Sequence, residues 1–198
     1  ADAVGLGDLG RKEAYIERQL KRWYGQYQQS AATQGRSVPA VDKVHDILAA
    51  RVPTQGPAAI VHGDYRLDNA VADGDHIAAV LDWELCTLGD PLADVGQLMV
   101  NWVEPGEEFV PLGHAPTLAG GFPTRTEAIA RYASRSGRDV SQLDFYVAFG
   151  YWKLACIIEG VYARYAAGAM AGDRTGMEHF PAQIEALASA GLEAASRL

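Results

Sequence analysis

The residue pattern predicts an α+β fold that is mainly α, a helical body carrying one small β-hairpin. Three observations predict it. Apolar residues recur at helical spacing over several long segments. Two short apolar runs, 70–72 and 77–81, flank Asp73-Gly74-Asp75, and an Asp-Gly pair between such runs signals a hairpin. At 198 residues, 48% hydrophobic and 21% charged, the chain can bury the core of one domain or one large lobe.

The elements follow in order. Residues 13–33 read as an amphipathic helix with Ile16, Leu20, Trp23 and Tyr27 on one stripe and Glu17, Arg18, Lys21 and Arg22 on the other side. Gly35 suits its end. Pro39 opens a second helix with Val41, Val44 and Leu48 inward, ending near Arg51 before Pro53. The pattern changes at Pro57, where the apolar run 58–61 leads into His62-Gly63-Asp64. The hairpin places Asn69 just before its first strand and Asp82 just after its second. Pro91 begins a helix containing Leu92, Val95, Leu98, Met99 and Trp102. The segment 104–122, rich in Pro and Gly, reads as a surface loop. Residues 124–136 form a helix. The longest spans 141–165, with Leu143, Val147, Tyr151, Leu154, Ile158, Val161 and Tyr165 as its stripe. Pro181 starts the last helix, striped by Phe180, Ile184 and Leu187.

Composition removes several function classes. The net charge is −8 and no long basic run occurs, which argues against nucleic-acid binding. No membrane span is present, since the apolar stretch 145–167 is interrupted by Lys153, Glu159 and Arg164. Residues 1–10 show no secretory signal. Cys86 and Cys156, seventy residues apart, make neither a metal pair nor a disulfide framework, so free thiols in a reducing cytoplasm are expected. The Gly-rich start (Gly5, Gly7, Gly10) reads as a linker or hinge, and the chain as a piece of a longer polypeptide. No pattern specifies an oligomeric state.

The chemistry concentrates in His62-Gly63-Asp64-Tyr65-Arg66-Leu67-Asp68-Asn69 and in Asp82, thirteen positions on. An Asp, an Asn five residues later and a third carboxylate at a nearby strand end suit phosphoryl transfer. Asp64 is the candidate base and orienter of an acceptor hydroxyl; its bland role is a turn Asp bonded to its own backbone. Asn69 and Asp82 offer the one neutral and one charged oxygen that Mg²⁺ accepts alongside nucleotide phosphates. Otherwise Asn69 is a turn residue and Asp82 a strand-end cap. His62 reads as structural, its ring bonded to backbone to shape the loop, rather than as a metal ligand. Arg66 either neutralises the transferring phosphoryl group or forms a salt bridge with Asp68 or another carboxylate. In Gly89-Asp90-Pro91-Leu92-Ala93-Asp94, Asp90 reads as an N-cap, and Asp94, one turn in, as a support that binds backbone amides of the catalytic loop. A chance His-x-Asp-x₄-Asn match is expected in about one chain in a hundred. The hairpin, the strand ending in Asp and the capped helix make coincidence rarer still.

These residues resemble the aminoglycoside phosphotransferase-like, protein-kinase-like family, whose pattern is His-Gly-Asp-x₄-Asn, then hydrophobic-Asp-Trp-Glu, then Gly-Asp-Pro…Asp. Here these are His62-Gly63-Asp64…Asn69, Val80-Leu81-Asp82-Trp83-Glu84 and Gly89-Asp90-Pro91…Asp94. The resemblance implies Asp64 as the catalytic Asp, Asn69 and Asp82 as Mg²⁺ ligands, and ATP or another nucleoside triphosphate as donor. The opening helix, Tyr15…Arg18-Gln19…Arg22-Trp23, looks like the branch found beside or fused to acyl-CoA dehydrogenases. That branch implies a small hydroxylated acceptor, such as a hydroxyacyl-CoA. Family members begin with a β-sheet lobe bearing a phosphate-covering loop and a Lys. Nothing before Asp64 resembles it, since Lys12, Lys21 and Lys43 lie on no strand pattern. Residues 1–198 therefore read as a single C-terminal lobe, with 1–10 as hinge and the N-terminal nucleotide-binding lobe outside the chain.

Two rivals compete. A metal-dependent phosphohydrolase would use His62, Asp64, Asp82 and Asp90, although His45, His76 and His114 sit in no companion motif. A non-catalytic kinase-like binding module is the other. The acceptor pocket is expected between the loop after Trp102 and the helix from Ser141. Glu104, Glu107 and Glu108 either attract a cationic substrate or are simply solvated, and Tyr146, Tyr151 and Trp152 either line the pocket or fill the core.

Overall fold

The computed structural model describes residues 1–169 and 176–198 and is mainly helical, with short antiparallel strands. It divides into two compact units. One comprises Ala1–Tyr15 and Thr54–Val147, the other Ile16–Pro53 and Ala148–Leu198.

The second unit is built from helices. α1 (Tyr15–Thr33) buries Ile16, Leu20, Trp23 and Tyr27, the stripe its periodicity defines. α2 (Pro39–Ala50) opens on its proline and fully buries Val41, Val44 and Leu48. The Tyr27 hydroxyl accepts from the Val38 amide at 3.0 Å, tying the turn before α2 to α1.

In the first unit, β1 (Ala59–Val61) leads to the hairpin of β2 (Ala70–Asp73) and β3 (His76–Val80), closed by a two-residue turn at Gly74-Asp75. β4 (Thr87–Gly89) pairs antiparallel with β1, Val61 opposite Thr87. The sequence expectation had the chain turning helical directly after Asp82, so β4 is an addition. Three residues carry too little alternation to announce a strand, and β4 exists because β1 offers it a ladder. α3 (Leu92–Val100) follows, then α4 (Arg125–Ser136), which starts with a capping box between Thr124 and Glu127. Gly96 of α3 is required by packing: a Cβ there would overlap the Tyr146 carbonyl.

α5 (Leu143–Ala166) and α6 (Phe180–Ala195) complete the fold. α5 corrects one expectation. Its predicted stripe includes half-buried Val147, Tyr151 and Val161, whereas Ala148, Trp152, Ala155, Cys156 and Glu159 on other sides are fully buried. The helix is apolar nearly all round, so period alone does not select its innermost face. Tyr146 and Trp152 are core residues; the Trp152 indole donates to the Val41 carbonyl at 3.1 Å. α6 buries Ile184 and Leu187, and α2 packs against it. Cys156 is a buried free thiol whose pKa burial pushes up, and Cys86 is half-buried.

Glu159 is an ionisable group inside the second unit. It is 0% exposed, and neither carboxylate oxygen has a hydrogen-bond donor. The Arg36 guanidinium lies beside it, with Nε 3.4 Å from Oε2. Burial raises the carboxyl pKa, and the Arg36 charge offsets part of that rise. A raised carboxyl means that the folded state holds the proton to higher pH than the unfolded chain does. This contribution to stability is complete below the ordinary carboxylate range and is lost as pH rises through the raised folded value. Melting curves across that window should therefore fall with pH, and Glu159→Gln should flatten the slope. Parallel slopes in the two proteins would contradict the assignment.

Candidate functional site

Backbone geometry builds the site first. Val61 is fully buried at the end of β1 and delivers His62 into a tight loop. Gly63 follows at φ 87°, where an added Cβ would lie 2.9 Å from both the Cβ and the carbonyl oxygen of Leu85. Asp94, in the first turn of α3, holds this loop. Its Oδ2 accepts from the His62 amide at 2.6 Å and its Oδ1 from the Gly63 amide at 2.9 Å. Asp90 steadies the start of α3: Oδ1 accepts from the Leu92 amide at 3.1 Å and Oδ2 from the Tyr146 hydroxyl at 2.6 Å. Removing either carboxylate would strand buried donors, at about 1–3 kcal/mol each.

The His62 ring, 2% exposed, joins the loop to the end of β3. Its Nε2 lies 2.8 Å from the Leu81 carbonyl, and its Nδ1 accepts from the Asp64 amide at 3.2 Å. Nε2 therefore carries the proton and Nδ1 spends its lone pair on a backbone N–H, so neither nitrogen remains for a metal. The ring also packs on Trp83, centroids 4.6 Å apart.

Hydrogen bonds join Asp64 to Asn69 and Asn69 to the residue that precedes Asp82. The Asn69 amide nitrogen donates to the Asp64 carbonyl at 2.8 Å and to Asp64 Oδ2 at 3.0 Å. The Asn69 carbonyl accepts from the Leu81 amide at 2.8 Å, and Asp82 is the next residue. Asp64 Oδ2 also receives Arg66 Nε at 3.3 Å. Asp64 Oδ1 and the Asn69 amide oxygen carry no hydrogen bond among the described residues. Asp82 adopts φ 63°, ψ 54°, the left-handed region that costs a non-glycine residue energy. It begins a short 3₁₀ turn yet makes no capping bond, and its exposed carboxylate has no described partner.

Arg66 sits between two carboxylates. Its Nη1 donates to Asp68 Oδ2 at 2.7 Å while its Nε meets Asp64. The salt-bridge geometry is thus present, and Nη2 bonds no described residue. His114, from the 104–122 loop, reaches Asp68 Oδ1 with Nε2 at 2.7 Å. Sequence reasoning treated His114 as a histidine without a motif, because 46 residues separate it from its partner and no spacing rule spans that gap. The loop's acidic residues are also engaged. Arg125 bonds Glu104, Glu107 and the Trp102 carbonyl, so two of the three glutamates pin the loop base internally. The Glu107 carboxyl has a lowered pKa: burial, its largest influence, raises it, and the Arg125 bond outweighs that together with lesser contributions.

A cavity of about 450 Å³ lies beside the loop, lined chiefly by Ile60, His62, Trp83, Leu98, Met99 and Tyr132. Its walls are mainly apolar and aromatic, and burial raises the pKa of the Tyr132 phenol.

Among known proteins, the model of the phosphotransferase enzyme family (APH) matches residues 1–132. The crystal structure of a Ralstonia eutropha protein assigned as an aminoglycoside phosphotransferase superposes with a TM-score of 0.81 at 34% identity, over 99% of this chain and 60% of that one, so the fold is kinase-like. Mouse acyl-CoA dehydrogenase family member 10 is 34% identical over 178 residues, 84% of this chain and 16% of its own length. Human acyl-CoA dehydrogenase family member 11 is 31% identical over 202 residues, 98% of this chain and 25% of its own length. The chain thus spans a quarter or less of these two curated relatives.

Proposed function

We propose that this chain, which belongs to the phosphotransferase enzyme family, carries the acceptor-activating and metal-holding side of a kinase-type active site. The reaction is transfer of the terminal phosphoryl group of ATP, or another nucleoside triphosphate, to a hydroxyl of a small molecule. One observation carries this reading: Asn69 is bonded to Asp64 by its side chain and to Leu81, the residue before Asp82, by its backbone carbonyl, and Asp64, Asn69 and Asp82 each keep an uncommitted oxygen.

The Asp64 carboxylate is held by its Oδ2, leaving Oδ1 to accept a hydrogen bond from the acceptor hydroxyl and take its proton as the new O–P bond forms. Positioning matters more here than basicity, and the Asn69 and Arg66 bonds supply it. The amide oxygen of Asn69 and the carboxylate of Asp82 are hard ligands of the number and kind that suit Mg²⁺. Bound there, Mg²⁺ would offset the charge of the nucleotide phosphates. Arg66 Nη2, which bonds no described residue, would meet a phosphate oxygen while the rest of its guanidinium stays on Asp64 and Asp68. The cavity favours an acceptor with an apolar body, and a hydroxyacyl-CoA fits both this lining and the acyl-CoA dehydrogenase names of the relatives. The phosphohydrolase alternative loses two ligands, since both ring nitrogens of His62 and both carboxylate oxygens of Asp90 are already bonded.

The test is transfer by the full-length polypeptide from Mg-ATP to a panel of hydroxyacyl-CoA thioesters and free hydroxy acids. Mass spectrometry should show a phosphorylated product that requires Mg²⁺. The 198-residue chain, which covers 60% of its structural neighbour, should by itself bind Mg-ATP weakly and transfer negligibly. Robust transfer by the isolated chain would overturn the lobe reading. Phosphate release without any acceptor would favour a hydrolase, and absent Mg-nucleotide affinity in the full-length protein a binding module.

A further inference from the structure

We infer that His114 is a positioning residue for phosphoryl transfer: it fixes Asp68, and through Asp68 sets how Arg66 meets Asp64. The inference rests on the phosphotransferase reading above.

Four side chains form an unbroken series. His114 Nε2 lies 2.7 Å from Asp68 Oδ1, Arg66 Nη1 donates to Asp68 Oδ2 at 2.7 Å, and Arg66 Nε donates to Asp64 Oδ2 at 3.3 Å. A guanidinium beside a free carboxylate tends to close on both of its oxygens as a two-bond fork. His114 blocks that fork by occupying Oδ1. Arg66 then meets Asp68 through one nitrogen, and its Nε remains on Asp64. The Asp64 carboxylate is thereby held by two donors on the same oxygen, Arg66 Nε and Asn69 Nδ2, and its other oxygen is left without a bond among the described residues.

His114 can do this because its loop is pinned. Arg125 clamps the base through Glu104, Glu107 and the Trp102 carbonyl, and Thr117 Oγ1 donates to the Val103 carbonyl at 2.7 Å. Stability does not account for the contact. The His114 side chain is 60% exposed, and ion pairs this exposed contribute little to folding. What remains for it is geometry at Arg66.

The experiment is a double-mutant cycle in the full-length protein with His114→Ala, Asp68→Asn and the pair, and with His114→Gln as the conservative variant. The readout is ADP formed from Mg-ATP, with water and with the hydroxyacyl-CoA panel as acceptors. His114→Ala should lower kcat about five- to tenfold, somewhat less than the loss of a direct charge-assisted bond would. KM for Mg-ATP and the melting temperature should stay near wild type. His114→Gln, whose amide also donates to Asp68, should recover most of the rate. The double variant should be no slower than Asp68→Asn alone, since the two residues act in series. Unchanged kcat in His114→Ala overturns the inference, as do additive losses, or a rate loss that tracks a fall in melting temperature and is not recovered by His114→Gln. A wild-type protein that turns over no ATP with any acceptor sinks the phosphotransferase reading instead, and this inference with it.

Discussion

Asp64→Asn should all but abolish phosphoryl transfer and leave nucleotide binding largely in place. The substitution keeps the shape of the side chain but removes the carboxylate proposed to accept the acceptor's proton. General-base catalysis is worth about 10²–10⁴ in rate, so turnover should fall by that range. Mg-nucleotide affinity should stay within about threefold, because the proposed ligands are Asn69 and Asp82 and neither leaves. The fold should survive, since the Asp64 side chain is 29% exposed and its ion pair with Arg66 is a minor part of stability. Initial rates of phosphorylated product, set beside a nucleotide titration by calorimetry, decide the matter. Retained transfer with lost nucleotide binding would reverse the assigned roles.

The second large effect is at Asp82, where function and stability should move in opposite directions. A left-handed backbone at a non-glycine residue costs about 1 kcal/mol or more, and no capping bond here offsets it. Asp82→Gly removes that strain and should raise stability by about 1 kcal/mol. It also removes the only charged ligand proposed for the metal, so Mg-nucleotide affinity should drop at least about tenfold. Asp82→Ala should lose the same affinity without the gain, because alanine has no ease in this region. Thermal melts paired with Mg-nucleotide titrations separate the two. If Asp82→Gly binds Mg-nucleotide as wild type does, the carboxylate is not a ligand and the strained turn needs another explanation.

Much of this architecture is written in local pattern. Ile16, Leu20, Trp23 and Tyr27 recur at the helical period because one face of α1 is buried and the other is wet, and burial follows that stripe. Pro39 and Pro91 stand at or beside helix starts, where a missing N–H costs nothing. Asp73-Gly74-Asp75 is read as a turn because Gly74 takes the positive φ the turn requires. The pattern fails where context supplies the information. β4 has three residues and owes its form to β1. α5 is apolar on nearly every side, so its sequence does not rank its faces, and Glu159 sits on a fully buried one.

By itself, the sequence determined the helical body, the hairpin and the phosphotransferase family motif, because periodicity, turn residues and a short spaced motif are properties of neighbours along the chain. Only the tertiary structure decided which oxygens of Asp64 and Asn69 remain uncommitted, that both nitrogens of His62 are spent, that Asp82 is held in a strained turn, and that His114 reaches Asp68 from a distant loop. The His62–Leu81 and His114–Asp68 bonds join residues 19 and 46 positions apart, the others follow from the loop's backbone and rotamer geometry, and neither kind leaves a periodic trace in the order of the residues.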